Sequence, residues 1–191
     1  MGFETIISIF LGIGLAASVG FRVFVPLFAL SLASYFDVWQ LNESWQWIGS
    51  TTALVALGVA TLVEIFAYFI PYVDNLLDTI SVPLAALAGT VIMLSTVADL
   101  SPVITWALAI IAGGGTAAAI AGTASTTRLA STATTGGLAN PVVSTLETGT
   151  SIVMSILSIF IPILAIIFVI IILFVIFKLY NKFKRNKSGI F

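Results

Sequence analysis

The run from Phe160 to Phe177 is apolar at every position. Water solvates such a segment poorly, and about 20 apolar residues at 1.5 Å each cross the roughly 30 Å hydrocarbon layer of a bilayer. A membrane-crossing helix is therefore the first constraint on the fold. The rest of the chain agrees with it: 60% of the residues are hydrophobic and 8% charged, against about a quarter charged in a soluble domain. Backbone in lipid must satisfy its own hydrogen bonds. The expected fold class is accordingly all-α: a polytopic helical membrane protein of about five transmembrane helices, with the lipid bilayer as its main partner.

Charge is unevenly placed. Arg22 and Arg128 are the only basic residues before a cluster at the C-terminus, Lys178, Lys182, Lys184, Arg185 and Lys187, whereas all eight acidic residues lie upstream of that cluster. The expected division is an integral-membrane domain over residues 1–179 and a basic tail over 180–191. By the positive-inside rule the tail and the C-terminus face the cytoplasm. Five charges tied to a membrane helix read as a topology anchor, so no nucleic-acid partner is expected. The N-terminus has no basic region before its apolar segment and does not read as a cleaved signal peptide. The chain has no Cys and no His, which excludes thiolate chemistry, His-ligated haem, the usual zinc sites and His proton shuttles. No nucleophile elbow or phosphate-binding Gly-Lys loop occurs. No catalytic residue, metal or cofactor is expected, and the chain does not read as an enzyme.

The first apolar segment, Thr5 to Tyr35, is long enough to span or to break, and Gly20 and Pro26 favour a break. Gly12, Ala16 and Gly20 form a small-residue stripe for close helix approach. Gly14, Ser18 and Arg22, four apart, form a polar seam. Trp39, Trp45 and Trp47 among polar residues mark a headgroup interface. A second span covers Ile48 to Ile70, ended by Pro71, with Glu64 on its small-residue face. A third run covers Pro83 to Ala98, and Asp99 to Pro102 reads as a turn. A fourth helix enters the stretch Gly113 to Pro141, which is almost wholly Gly, Ala, Ser and Thr with Arg128 as its one charge. Ser125 to Leu146 reads as a broken or re-entrant segment. A last helix is expected from Val142 or Ser151 to Leu179, with a kink at Pro162. GIGLAAS (Gly12–Ser18) echoes GGGTAAA (Gly113–Ala119), each with an arginine after it, which makes an inverted repeat a candidate.

An ionisable residue at membrane depth is a functional candidate by default. Arg22 and Glu64 are the two expected there, either as a polar pathway or as a structural ion pair; contact between them needs a break at Gly20. Asp74 and Asp78, one helical turn apart, are candidate cation contacts or else N-caps and solvated loop acids. Arg128, with Ser131, Thr135, Gly136, Gly137, Asn140 and Pro141, is a candidate lining for an anion or polar solute; close packing by small residues is the alternative.

Three separated elements carry a resemblance. Gly20-Phe-Arg-Val-Phe-Val-Pro26, Ile70-Pro-Tyr-Val-Asp-Asn-Leu-Leu-Asp78, and Thr134-Thr-Gly-Gly-Leu-Ala-Asn-Pro-Val-Val-Ser144 with Glu147 are similar, in order, to elements of the bacterial membrane family called domain of unknown function 4126. The resemblance implies a multi-pass helical protein, Glu147 as a further intramembrane charge, and no assigned activity. A small transporter or channel-like protein of the bacterial inner membrane, for an ion or small polar solute and working as a homo-oligomer, is the expectation. The alternative is a structural or accessory protein that binds other membrane proteins or lipids.

Overall fold

The computed structural model describes residues 2–70, 73–98 and 100–188. Among the described residues, eight α-helices follow in order: α1 (Phe3–Val19), α2 (Phe24–Tyr35), α3 (Thr51–Ala67), α4 (Val73–Thr96), α5 (Pro102–Leu108), α6 (Gly115–Thr135), α7 (Asn140–Phe160) and α8 (Pro162–Ser188). A 3-10 helix at Glu43–Gly49 precedes α3, and a π-helical turn at Ala109–Gly114 joins α5 to α6. The stretches Val73–Thr96, Pro102–Thr135, Asn140–Phe160 and Pro162–Lys182 are long and apolar enough to cross a membrane; the 3-10 helix with α3, bent by 62°, makes a fifth. This is the expected number of spans. Pro71 and Asp99, expected at a helix end and in a turn, lie outside the described residues, as do positions 189–191 of the tail.

The bundle has a tryptophan end and a tail end. At the first, Asn42 Nδ2 donates to the Leu94 and Val97 carbonyls at 2.7 and 2.8 Å, and Ala98 N–H donates to Ser8 Oγ at 3.2 Å. Trp45 packs there against the end of α4. At the second lie Tyr68, Asp74 and the turn before α7.

The chain's re-entrant element is its beginning. From the tryptophan end, α1 runs inward and stops at Gly20, and α2 returns after a turn over Phe21–Val23. Arg22 in that turn is level with Glu147, the eighth residue of α7, about 10 Å along that helix from its start. Helices of 17 and 12 residues reach only about 26 and 18 Å, so neither is long enough to cross the roughly 30 Å hydrocarbon layer alone. Gly20 permits the turn to nest against α6, because a Cβ there would lie 2.5 Å from Ile120 Cβ and 2.8 Å from the Ala117 carbonyl.

One expectation is narrowed and one corrected here. The break expected within Ser125–Leu146 falls at residues 136–139, where Gly136 and Gly137 take positive φ of 63° and 86°, and Ser125 to Thr135 is regular helix. The hydroxyls of Thr123, Thr126, Thr127, Thr134 and Thr135 donate to carbonyls four residues back, so the helix absorbs its own polarity. The last helix is also two helices. Pro162 lacks the N–H that would continue α7, and α8 starts there and runs back beside it.

The centre is packed backbone to backbone. α4 holds α1 and the π turn through glycines: a Cβ on Gly89 would sit 2.7 Å from the Gly113 carbonyl oxygen. α7 is apolar outside and polar inside, since Ser144, Glu147, Ser151, Ser155 and Ser158 are all buried. That polar stripe meets the expected seam of α1: Ser18 Oγ donates to the Ser151 carbonyl at 2.7 Å and lies 2.7 Å from Ser155 Oγ, and Gly14 abuts Ser158. The two echoing segments run in the same direction. Ile9 and Ile13 pack against the cluster that holds Ala109, and Phe21 against the cluster that holds Ala17 and Ile120. Their relation is therefore parallel, whereas an inverted repeat would oppose them.

Gly149 is the contrasting glycine, exposed on α7 with nothing within 4 Å of a built Cβ. Gly149→Ala is expected to raise stability by about 0.5–1 kcal/mol through helix propensity, read as a higher Tm of the detergent-solubilised protein.

Candidate functional site: a buried charge cluster

Glu147 is the hub. Its Oε2 accepts from Arg22 Nη1 at 2.9 Å and from Arg128 Nη1, so a single carboxylate oxygen joins two guanidinium groups. The turn after α1 delivers Arg22, whose Nη2 donates to the Ser144 carbonyl, Nε to Thr148 Oγ1 and Nη1 also to the Phe21 carbonyl, each at 3.0 Å. α6 delivers Arg128, and α4 supplies its second partner: Arg128 Nε donates to Asp78 Oδ2 at 3.1 Å and Nη2 pairs with Oδ1. Arg22 and Arg128 are 1% and 2% exposed. Both guanidiniums also lie against the Tyr68 ring, 4.0 and 4.4 Å from its centroid, a geometry in which a ring face attracts cations.

Glu64 is buried as expected, but its partner is not Arg22. Its two oxygens accept the Val23 and Phe24 N–H groups at 2.7 and 2.9 Å. These are among the orphan donors at the start of a helix, here buried in the bundle where water cannot satisfy them. The break at Gly20 brings α2's first turn to Glu64, and Arg22 points the other way to α7. Glu64→Ala leaves two buried donors unsatisfied, at about 1–3 kcal/mol each. Faster amide hydrogen exchange at Val23 and Phe24, together with a lower Tm, is the expected readout.

The solvated-loop alternative for Asp74 and Asp78 is also corrected. Both belong to α4; Asp78 pairs with Arg128, and Asp74 Oδ2 accepts from Asn140 Nδ2 at 3.0 Å. Asn140 Nδ2 also donates to Thr132 Oγ1 at 3.0 Å. A cavity of 270 Å³ opens beside them, lined by Gly136, Gly137, Asn140 and Pro141 from the predicted lining. Ser131 and Thr135 line neither this cavity nor the arginine site. The Ser131 hydroxyl is buried without a partner, and Thr135 accepts the Ala139 N–H in the turn. Gly20 and Pro26 shape the hairpin and touch no ion pair. Sequence reasoning missed Tyr68, Thr148 and the polar face of α7. The serines at 144, 151, 155 and 158, with Glu147 among them, were the signal, because that spacing puts them on one helical face.

Among the described residues, no group of three or more acidic, His or Cys side chains is placed to hold a metal ion.

The family model for the domain of unknown function DUF4126 matches residues 9–182. The chain belongs to this family. Neither a curated protein nor a solved structure gives a significant match. The three DUF4126-like elements of the sequence converge in space: the first supplies Arg22, the second Asp74 and Asp78, the third Asn140, Ser144 and Glu147. The residues that carried the resemblance are thus the charge cluster and its approach.

Proposed function

We propose that this DUF4126 protein is a small transporter or channel-like protein for an ion or small polar solute, with the buried charge cluster as its coupling site. One observation carries the reading. Four carboxylates, those of Glu64, Asp74, Asp78 and Glu147, have buried side chains around only two guanidiniums, with Asp74 toward the tail end. Uncompensated charge in a low-dielectric interior is expensive, so neutrality calls for two further positive charges, as protons or as cations. Positive charges held by a membrane interior without a fixed basic residue are exchangeable by nature. In this reading the basic tail, by the positive-inside rule, favours a cytoplasmic tail end, and the family resemblance suggests a bacterial inner membrane. A homo-oligomer is the working form in this reading, because 191 residues supply few helices to enclose a path.

A second reading rests on the saturation of the cluster. Arg22 has four hydrogen bonds and Arg128 two acidic partners, the arrangement of an ion-pair lock in a structural or accessory protein. Flux from proteoliposomes separates the two. With a pH gradient or an alkali-cation gradient imposed, the parent protein is expected to dissipate it, and Arg128→Ala and Glu64→Gln to lose most of that flux while remaining monodisperse. Background flux in all three supports the structural reading.

A further inference from the structure

We propose that the cavity at the tail end is a binding site for a small monovalent cation, with the Asp74 carboxylate and the Asn140 amide oxygen as its protein ligands. The proposal deepens the transport reading and rests on it for its purpose, as a first station from the tail end; the binding site itself stands on separate observations. Asp74 is 5% exposed and forms no ion pair among the described residues; its Oδ1 accepts the Asn75 N–H at 2.8 Å. Asn140 is 4% exposed, and both residues line the 270 Å³ cavity. The Asn140 amide nitrogen is fully used, donating to Asp74 Oδ2 and Thr132 Oγ1 at 3.0 Å each. Its Oδ1 is buried with no hydrogen-bond partner. Buried acceptors without donors are rare in folded proteins and call for a water or an ion. A carboxylate whose only partners among the described residues are neutral N–H donors, beside an unpartnered carbonyl, selects a positive charge. All the ligand atoms are oxygen, which favours a hard cation. One carboxylate matches one charge, and the absence of a three-acid group disfavours a dedicated divalent site.

The cavity also has a back wall. Tyr68 lines it, and the same ring carries both guanidiniums of the cluster. A cation at Asp74 is thus one aromatic ring away from Arg22 and Arg128.

The test is a thermal-unfolding titration of the purified full chain in detergent. LiCl, NaCl and KCl are each exchanged against N-methylglucamine chloride at fixed pH and ionic strength. The expected result is a saturable rise in Tm, by several degrees, with at least one alkali cation. Asp74→Asn is expected to abolish the rise, and Thr132→Val, which keeps the charge, to leave it in place with weaker affinity. No cation-dependent rise in the parent protein overturns the proposal, and so does a rise that survives Asp74→Asn. If Asp74→Asn does not fold, Asn140→Ala takes its place, with at least a tenfold loss of affinity expected and an unchanged titration overturning the proposal. Flux without a cation-dependent Tm sinks the site and leaves transport standing; a cation-dependent Tm without flux keeps the site and sinks the transport reading.

Discussion

Glu147→Ala is expected to destabilise the protein by about 3–5 kcal/mol, the range found when one partner of a buried ion pair is removed. The loss is at the upper end because both Arg22 and Arg128 lose the same acceptor oxygen. Arg128 keeps Asp78, whereas Arg22 keeps only neutral acceptors. Arg22→Met in the Glu147→Ala background is therefore expected to restore part of the loss, and Arg128→Met to restore less. Equilibrium unfolding in mixed micelles measures all four proteins as a double-mutant comparison. A Glu147→Ala cost below about 1 kcal/mol, the value of an exposed pair, would show that the hub is not where the charges are neutralised.

Gly89→Val is the second large effect. Gly89 and Gly113 face each other, and a Cβ on either would lie 2.7 or 2.6 Å from the other's carbonyl oxygen. Backbone cannot swing aside as a side-chain tip does. α4 must move away from the π turn, and the neighbouring contacts of Met93 and Ala117 with the same glycines are lost with it. Overpacking of this kind costs about 1–3 kcal/mol and sometimes more. The expected value is near the top of that range. Gly12→Ala should be milder, because the nearest atom to its Cβ is the flexible Met93 sulfur, at 2.6 Å. Comparing the two by Tm, with Gly149→Ala as the stabilising control, tests whether backbone contact or mere glycine content matters.

Much of this was legible in the residues. The apolar run of α8, the small-residue stripe of α1 and its polar seam at Gly14, Ser18 and Arg22 all face what their spacing required. The identity of Arg22's partner was not legible, because Glu147 lies 125 residues away in the chain, and local periodicity holds no information about which helices meet. Glu64 misled for a related reason. A buried carboxylate suggests a cationic partner, whereas here it serves the N–H groups of a helix that begins inside the bundle. The Ser/Thr-rich composition set the break too widely: its threonines bond back to their own helix, which keeps α6 intact through Thr135 although its side chains are polar. The break falls at two glycines with positive φ, where only the turn residues carried a signal.

The 125-residue separation between Arg22 and Glu147 has a consequence for biogenesis. At synthesis rates of about 5–20 residues per second, Arg22 emerges roughly 6–25 s before the carboxylate that neutralises it. For that interval the first hairpin cannot hold its final depth as a paired structure. Glu64 arrives sooner and can already cap α2, but it leaves the guanidinium unpaired. The ion pair that holds the N-terminal hairpin in the folded bundle therefore forms only once α7 is in place. The seventh helix of this protein completes the packing of the first.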